Sequence, residues 1–272
     1  MTDLALHETG GRGHPTIVFL HGVGNTGAMW DEVASSLPAY HSLAPDLPGF
    51  GQSRALRWVS RSDTARRVAA LIEARASGGH AHVVGLSLGG SVALELLTLR
   101  PDLIDRVIVD GCSALPSAVI GPMKLGVTAI SRFLRFGVIA RAVGRSFGMA
   151  PGPGLDDFVT QLQAADAGSF RRAFADANDT RITPALLAAS APTLLVAGER
   201  ELRHVRQSNR RLAEQMPAAE ARMVPGTGHG WGLVQLPDVH RRMVEAWLGG
   251  AVLPPELHVE TIGLPVRARL AA

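Results

Sequence analysis

The 272-residue chain contains little cysteine and no long apolar run. Its one cysteine, Cys112, excludes an intrachain disulfide framework, and such usage is typical of a reducing compartment. No stretch reaches the ~18 uninterrupted apolar residues that a membrane span needs. Residues 1–8 also lack the basic start and the apolar core of a signal peptide. We therefore expect a cytoplasmic protein without a membrane span, in which Cys112 is a buried structural thiol.

A large excess of either charge is lacking as well. The formal net charge is +3, and Lys124 is the one lysine among 27 basic residues. No cluster of basic residues has the form of a nucleic-acid-binding stripe, so we expect no nucleic-acid partner. The length and the hydrophobic content of 46% are sufficient for one large core that carries an insertion.

Short apolar runs alternate with helical patterns along the chain. This alternation predicts an α/β protein with a doubly wound, mostly parallel sheet and helices on both faces. Ligands of such sheets bind at the carboxyl ends of the strands. Amphipathic patterns predict helices over residues 64–76 and 237–248. The predicted strands are Leu4–Glu8, Thr16–Leu20, Ser42–Asp46, His82–Gly85, Arg106–Asp110, Thr193–Gly198 and Glu220–Val224.

The alternation stops between residues 112 and 191, where the pattern predicts a helical cap inserted into a core of residues 1–111 and 192–250. Pro151-Gly152-Pro153-Gly154 divides this cap into two helical pairs and is a candidate hinge. One cap helix is apolar on two faces, so we expect it either to pack between the sheet and other cap helices or to line a pocket. The two faces hold Met123, Val127, Ile130 and Leu134, and Leu125, Ala129, Phe133 and Phe136.

A glycine-flanked serine lies between a predicted strand and a helix that extends to Arg100. In the sequence Gly85-Leu86-Ser87-Leu88-Gly89-Gly90, a tight strand-to-helix turn would strain the serine backbone, and side chains at Gly85 or Gly89 would collide with neighbouring elements. This layout is that of a nucleophile elbow and predicts Ser87 as a catalytic nucleophile. The alternative is a serine that only caps the helix.

A serine hydroxyl needs a base from elsewhere in the chain. His229, in a glycine-rich loop between the last predicted core strand and the helix over 237–248, is the candidate. A carboxylate should hold its ring and should precede it in the sequence. Glu201, on the loop after the strand Thr193–Gly198, is the first choice; Asp110, Glu199 or a dyad without an acid are alternatives.

The segment His21-Gly22-Val23-Gly24 follows the strand Thr16–Leu20 on the side expected for a second backbone donor. The amides of Val23 and Leu88 would then form an oxyanion hole, in which one such donor contributes ~3 kcal/mol. A purely structural turn, held by a bond from His21 to the backbone, is the other interpretation. The two interpretations are compatible.

Taken together, these segments resemble the α/β-hydrolase superfamily, in a form with a small helical cap. The resemblance implies acyl transfer by a Ser-acid-His triad, with water as the usual acceptor, and it implies an architectural role for the run that begins at Asp46. Two features depart from the family pattern: the acid is a glutamate, and one strand precedes Thr16 where two are usual. The matching segments are His21-Gly22, residues 46–53, residues 85–90, residues 192–198 and Gly228-His229.

The sequence thus favours a serine hydrolase that cleaves a moderately hydrophobic carboxylic ester or thioester, without cofactor or metal, as a monomer or homodimer. Hydrolysis of a C–C bond, lactone or amide, cofactor-free haloperoxidase or lyase chemistry, and a non-catalytic ligand-binding module are the alternatives. The cap arginines are either solvated or contact an anionic tail of the substrate. They are Arg132, Arg135, Arg141 and Arg145.

The C-terminal tail, residues 251–272, has an alternating pattern. Residues 256–261 and 264–270 fit the two arms of a hairpin around Ile262-Gly263. We expect this tail to cover an exposed sheet edge or to pair with a second subunit, a disordered tail being the alternative.

Overall fold

The apolar runs of the sequence form strands that are buried on both faces, as in β-sheets covered by helices on each side. The computed structural model describes residues 4–260, and one eight-stranded sheet lies at its centre. The strands are β1 Leu6–Thr9, β2 Thr16–Leu20, β3 His41–Pro45, β4 Ala81–Leu86, β5 Ile104–Asp110, β6 Thr193–Gly198, β7 Ala219–Val224 and β8 His258–Val259.

The order across the sheet is β1-β3-β2-β4-β5-β6-β7-β8. The six inner strands are parallel, and the edge strands β1 and β8 pair antiparallel with β3 and β7. The predicted doubly wound, mostly parallel sheet is therefore confirmed. The predicted core strands match the observed ones to within two residues at each end.

Helices cover both faces of the sheet. They are α1 Asp31–Ser35, α2 Arg61–Arg75, α3 Leu88–Leu99, α4 Ile120–Ile130, α5 Gly137–Ser146, α6 Pro153–Ala164, α7 Ala167–Ala177, α8 Pro184–Leu187, α9 Arg203–Gln215, α10 Trp231–Val234 and α11 Pro237–Leu248. One apolar cluster joins a face of the sheet to α2, α3 and α9, and the cluster on the other face joins it to α1, α10 and α11. None of the described helices is long and apolar enough to cross a membrane.

Five helices, α4 to α8, form the insertion between β5 and β6. Its second half is tied to the sheet layer through the α2 side. Trp58 donates from its backbone N–H to Ser169 Oγ at 2.9 Å and from its indole Nε1 to Asp176 at 2.7 Å. The backbone N–H of Asp166 donates to the carbonyl of Gly49 at 3.1 Å. These contacts fix α7 over the end of the sheet at which the candidate site lies.

The expectation that the first cap helix has apolar neighbours on two sides is wrong. Of the eleven residues of α4, Ile120 alone is buried, and Leu125 is 73% exposed. The main contacts of the helix are with α7 and the following 3-10 turn, Ser131–Phe133, and eight of its eleven residues are exposed. Met123 reaches a cavity wall. A sequence pattern indicates that a helix is apolar, but it does not indicate whether another segment covers that helix.

The described part of the tail lies along the β7 edge of the sheet. β8 pairs with β7 at Arg222 and Met223, and the second predicted arm, residues 264–270, lies outside the described residues. Glu260 fastens this segment because its backbone N–H donates to Ala221 and its carboxylate, 4% exposed, accepts from Arg206 and Arg210 at 3.2 and 3.1 Å.

We predict that Glu260→Gln lowers the free energy of unfolding by about 1–3 kcal/mol, because it removes charge-assisted hydrogen bonds from a buried position. The matched control is Glu256→Gln in the same tail, where the carboxylate is 40% exposed and accepts from Arg242 at 2.6 Å. The control should lose less stability, since exposed ion pairs contribute little. Urea unfolding measures both, and equal losses would contradict the proposed anchoring.

Candidate active site

The backbone at Ser87 is strained. Its φ of 55° and ψ of −108° make it the one non-glycine residue with positive φ in the described part of the chain. An ideal Cβ on Gly85 would lie 2.4 Å from the carbonyl oxygen of Gly89, and one on Gly89 would lie 2.1 Å from that of Leu20. The turn from β4 into α3 therefore requires glycine on both sides. The Ser87 side chain makes no capping hydrogen bond to α3, so the capping alternative is wrong.

His229 and Glu201 meet on neighbouring loops that follow β7 and β6. His229 Nδ1 lies 2.7 Å from Glu201 Oε1, and the Glu201 carboxylate is 4% exposed. The Glu201 backbone N–H donates to the carbonyl of Gly198, which holds the loop in a tight turn at the strand end. The expected acid position on the loop after β6 thus holds a glutamate, whose side chain is longer than that of the usual aspartate and is directed to the imidazole. Both residues line a cavity that also contains Ser87.

The surroundings of His229 favour its protonated form. Burial acts against the imidazolium, but the hydrogen bond to Glu201, the charge of Glu201 and the charge of Asp110 outweigh it, so the pKa of His229 is raised above its usual value. A bonded carboxylate on Nδ1 also directs the other ring nitrogen, Nε2, away from Glu201. This arrangement suits a base that takes up a proton and holds it briefly.

The alternative acids have other partners. Asp110 accepts from the indole Nε1 of Trp231 at 3.2 Å, and its other oxygen lies 3.9 Å from Nε2 of His240. Burial and the charge of Glu201 raise the pKa of Asp110 to about 7. Glu199 accepts from the backbone N–H of Gly226 at 2.8 Å and so supports the loop that carries His229.

The loop after β2 runs beside the Ser87 turn. An ideal Cβ on Gly22 would lie 3.8 Å from Cβ of Ser87. The buried ring of His21 shapes this loop: Nε2 accepts from the backbone N–H of Leu47 at 2.9 Å, so Nδ1 carries the proton and donates to the carbonyl of Gly22 at 2.8 Å. Burial lowers the pKa of His21 to about 4, which keeps the ring neutral. Val23 follows directly and lines both cavities described below.

Other segments of the family resemblance have structural partners. The Asp46 carboxylate, 1% exposed, accepts from the backbone N–H groups of Gly27 and Gln52, each at 2.8 Å. Cys112 is buried, and burial raises the pKa of its thiol to about 12. Within residues 4–260, no group of three or more His, Cys, Asp or Glu side chains is arranged to hold a metal ion.

Two cavities of about 670 and 470 Å³ meet at the candidate site, and Ser87 and His229 line both. Phe147, at the end of α5, lies between them with its ring 5.9 Å from the His229 ring. The sequence contains no signal for this cap residue, because the contact depends on how the cap folds over the sheet.

Gly111 is a second residue that the sequence analysis missed. It follows β5 with φ of 60°, and an ideal Cβ would lie 3.0 Å from Glu201 Oε1 and 3.0 Å from His229 Cε1. The glycine therefore leaves the space in which the carboxylate and the imidazole meet. A glycine directly after a strand that ends in a candidate acid was the available signal.

Comparison with known proteins agrees with this architecture. The sequence matches the Alpha/beta hydrolase family over residues 17–246. The chain therefore belongs to this family, and the eight-stranded sheet with its helical insertion is the α/β-hydrolase fold.

Curated relatives and solved structures resemble parts or most of the chain. An AB hydrolase superfamily protein of Gibberella zeae is 39% identical over 119 residues, which are 43% of this chain and 41% of that protein. Lipase LipV of Mycobacterium tuberculosis is 34% identical over 108 residues, 39% of this chain and 41% of LipV. The match thus spans about two fifths of each of these relatives. A thermophilic esterase from Thermogutta terrifontis has the same fold, with a TM-score of 0.73 and 23% identity over 91% of this chain and 93% of the esterase.

We predict that Gly111→Ala slows covalent labelling of Ser87 by a fluorophosphonate about tenfold or more, because the added methyl group displaces the Glu201–His229 pair. Gly226→Ala is the matched control: its φ of 69° imposes similar strain, and an ideal Cβ there meets no atom within 4 Å. Labelling rates followed by intact-mass spectrometry measure both variants. Equal rates in the two would show that Gly111 is not needed for the pair.

Proposed function

We propose that the protein is a serine hydrolase that cleaves a carboxylic ester or thioester of moderately hydrophobic character through an acyl-enzyme on Ser87. One observation carries the proposal: the His229–Glu201 bond of 2.7 Å lies on the wall of a cavity that also exposes Ser87 at a strained turn. The relatives named as a lipase and an esterase support this chemical class.

The proposed reaction follows from the placement of these groups. His229 Nε2 takes the proton of the Ser87 hydroxyl as Oγ forms a bond to the substrate carbonyl carbon, and the π electrons move to the carbonyl oxygen. The backbone N–H groups of Val23 and Leu88 would stabilise that oxyanion. The C–O or C–S bond then breaks, and His229 protonates the leaving alcohol or thiol. Water, deprotonated by His229, then attacks the acyl carbon, the bond from that carbon to Ser87 Oγ breaks, and His229 returns the proton to Oγ.

The position and the lining of the two cavities indicate which kind of substrate would fit. Ser87 and His229 lie where the two spaces meet, so the acyl and leaving groups of a substrate bound at Ser87 would extend into different cavities. The walls of both cavities are mostly apolar but include charged side chains, such as Asp157 in the larger and Arg200 in the smaller, which favours moderately hydrophobic groups on both sides of the scissile bond. The larger is lined by Met29, Phe158 and Leu233 among others, and the smaller by Met123, Phe174 and Leu202.

We predict that Ser87→Ala abolishes hydrolysis of p-nitrophenyl esters, a loss on the order of 10⁶ in turnover, while the protein still folds. Ser113→Ala is the matched control, since Ser113 lines the smaller cavity but bonds to backbone carbonyls. It should retain near-normal turnover. A Ser87→Ala preparation with more than a tenth of wild-type activity would show that Ser87 is not the nucleophile, and ester binding without turnover by the wild type would favour a binding module.

We predict that Glu201→Gln reduces turnover by about 10³–10⁴-fold, because the imidazolium loses its bonded carboxylate. The pKa of His229 should fall in this variant, and since the base must be neutral, the acidic limb of the kcat/KM profile should move to lower pH. Asp110→Asn should lose far less turnover and shift the limb less.

The matched control for this prediction is Glu199→Gln, which changes a carboxylate of the same loop that bonds to Gly226. Turnover on one activated ester across a pH series compares the three variants. Severe loss in Asp110→Asn with a nearly normal Glu201→Gln would assign the acid role to Asp110 instead.

A further inference from the structure

The first cap helix has the composition of a buried helix but lies on the surface. α4 reads Ile-Gly-Pro-Met-Lys-Leu-Gly-Val-Thr-Ala-Ile, with Lys124 as its only charged residue. Eight of its eleven residues are exposed, and only Ile120 is fully buried. A helix that is apolar around its circumference is ordinarily covered by protein or lipid. Within residues 4–260, the main contacts of this helix are with α7 and the 3-10 turn, and they leave most of its surface exposed.

The exposed apolar surface continues past α4 into α5. The most exposed members are Leu125 at 73% and Val138 at 83%. We define the cap patch as the large apolar side chains of this stretch that are exposed, and it is unusual for so many to occur within twenty consecutive residues. The cap patch consists of Val119, Met123, Leu125, Ile130, Phe133, Phe136 and Val138.

The chain around the cap patch carries charge of one sign. Residues 111–155 contain five cationic side chains and no Asp or Glu. Two of the five pair with carboxylates outside this stretch, Lys124 with Asp179 and Arg141 with Asp156. The Arg132 guanidinium lies 4.9 Å from the centre of the Phe133 ring, and that of Arg135 lies 5.0 Å from the centre of the Phe136 ring. In the described part of the chain, Arg132, Arg135 and Arg145 have no carboxylate partner. Apolar side chains are thus interleaved with unneutralised cations.

We propose that the cap patch binds the surface of an anionic lipid bilayer. Leucine, valine and phenylalanine side chains would enter the boundary between headgroups and acyl chains, while the arginines would contact lipid phosphates. Charge complementarity selects this partner over a second copy of the chain. In a two-fold dimer through this patch, the three unpaired arginines of one copy would face the same three of the other.

The cap patch adjoins the candidate site, so binding of a bilayer to the patch would affect access to that site. Met123 belongs to the cap patch and also lines the smaller cavity, together with Ser87 and His229. A bilayer on the patch would therefore contact a residue that also lines the cavity of Ser87, so a lipid-dissolved ester would enter the site from this side. This consequence rests on the proposed function, whereas docking itself does not.

Vesicle flotation tests the docking directly. The full chain is used with the substitution Ser87→Ala, so that no ester is hydrolysed during the measurement. The vesicles consist either of phosphatidylcholine alone or of phosphatidylcholine mixed with phosphatidylglycerol. We expect flotation with the mixed vesicles, decreasing as salt is added, and little flotation with phosphatidylcholine alone. Absence of flotation with mixed vesicles at low salt would overturn the proposal.

Two pairs of variants distinguish binding through the cap patch from non-specific binding of the protein to vesicles. Leu125→Glu with Val138→Glu should lower the partition coefficient about tenfold or more, while Val252→Glu, at a position 94% exposed after α11, should leave it unchanged. Arg132→Gln with Arg135→Gln should lower it roughly tenfold to thirtyfold. The charge control is Arg54→Gln with Arg66→Gln, at exposed positions outside the cap.

Equal effects of patch and control variants would overturn the proposal. So would sedimentation velocity that shows a dimer without lipid, converted to monomer by Leu125→Glu with Val138→Glu, because a second copy would then occupy the patch. Circular dichroism and fluorophosphonate labelling, each measured in the Ser87-containing forms of the variants, confirm that the variants fold. Flotation requires no turnover, so failure of the proposed function would leave its result unchanged.

Discussion

The strained turn at Ser87 is the constraint on which the candidate site depends. A non-glycine residue at positive φ costs on the order of 1–3 kcal/mol and persists only where the surrounding structure holds it. Here the holding elements are β4, buried between β2 and β5, and α3, whose glycine-rich first turn packs against Leu20. The backbone N–H of Ser87 also donates to the carbonyl of Asp110 at 2.8 Å. The turn thereby presents the hydroxyl at the carboxyl edge of the sheet.

The same edge supplies the imidazole and its carboxylate, and close backbone packing brings them together. An ideal Cβ on Gly198, at the end of β6, would lie 2.6 Å from the carbonyl oxygen of Thr227, so the Glu201 and His229 loops touch without side chains between them. Gly111 leaves space on the third side. From the cap, Phe147, directly after α5, places its ring 5.9 Å from the His229 ring. The contact between Glu201 and His229 thus depends on glycines that do not take part in the proposed reaction but leave the space for it.

Sequence reasoning predicted those features that depend on local pattern. Continuous apolar runs identified the core strands because parallel strands are buried on both faces, and the spacing of Gly85, Ser87 and Gly89 identified the turn. Gly111 was missed because its role arises where three distant loops converge. The cover over α4 was mispredicted because an apolar pattern does not show which other segment lies over it. The role of Glu201 rather than Asp110 as the acid stays a prediction. Residue spacing does not determine the path of the loop after β6, whereas the structure shows Glu201 bonded to His229 and Asp110 bonded to Trp231.

The most direct test of the central claim is the detection of an acyl group on Ser87 during turnover. Rapid mixing with p-nitrophenyl butyrate, followed by acid quenching and mass spectrometry of peptides, measures the intermediate itself. We expect a burst of p-nitrophenolate that matches the enzyme concentration, together with a butyryl group on the peptide that contains Ser87. If hydrolysis shows no burst, the mass spectrum of the peptides decides whether Ser87 carries the acyl group. Steady hydrolysis with the acyl group on another residue would contradict the claim.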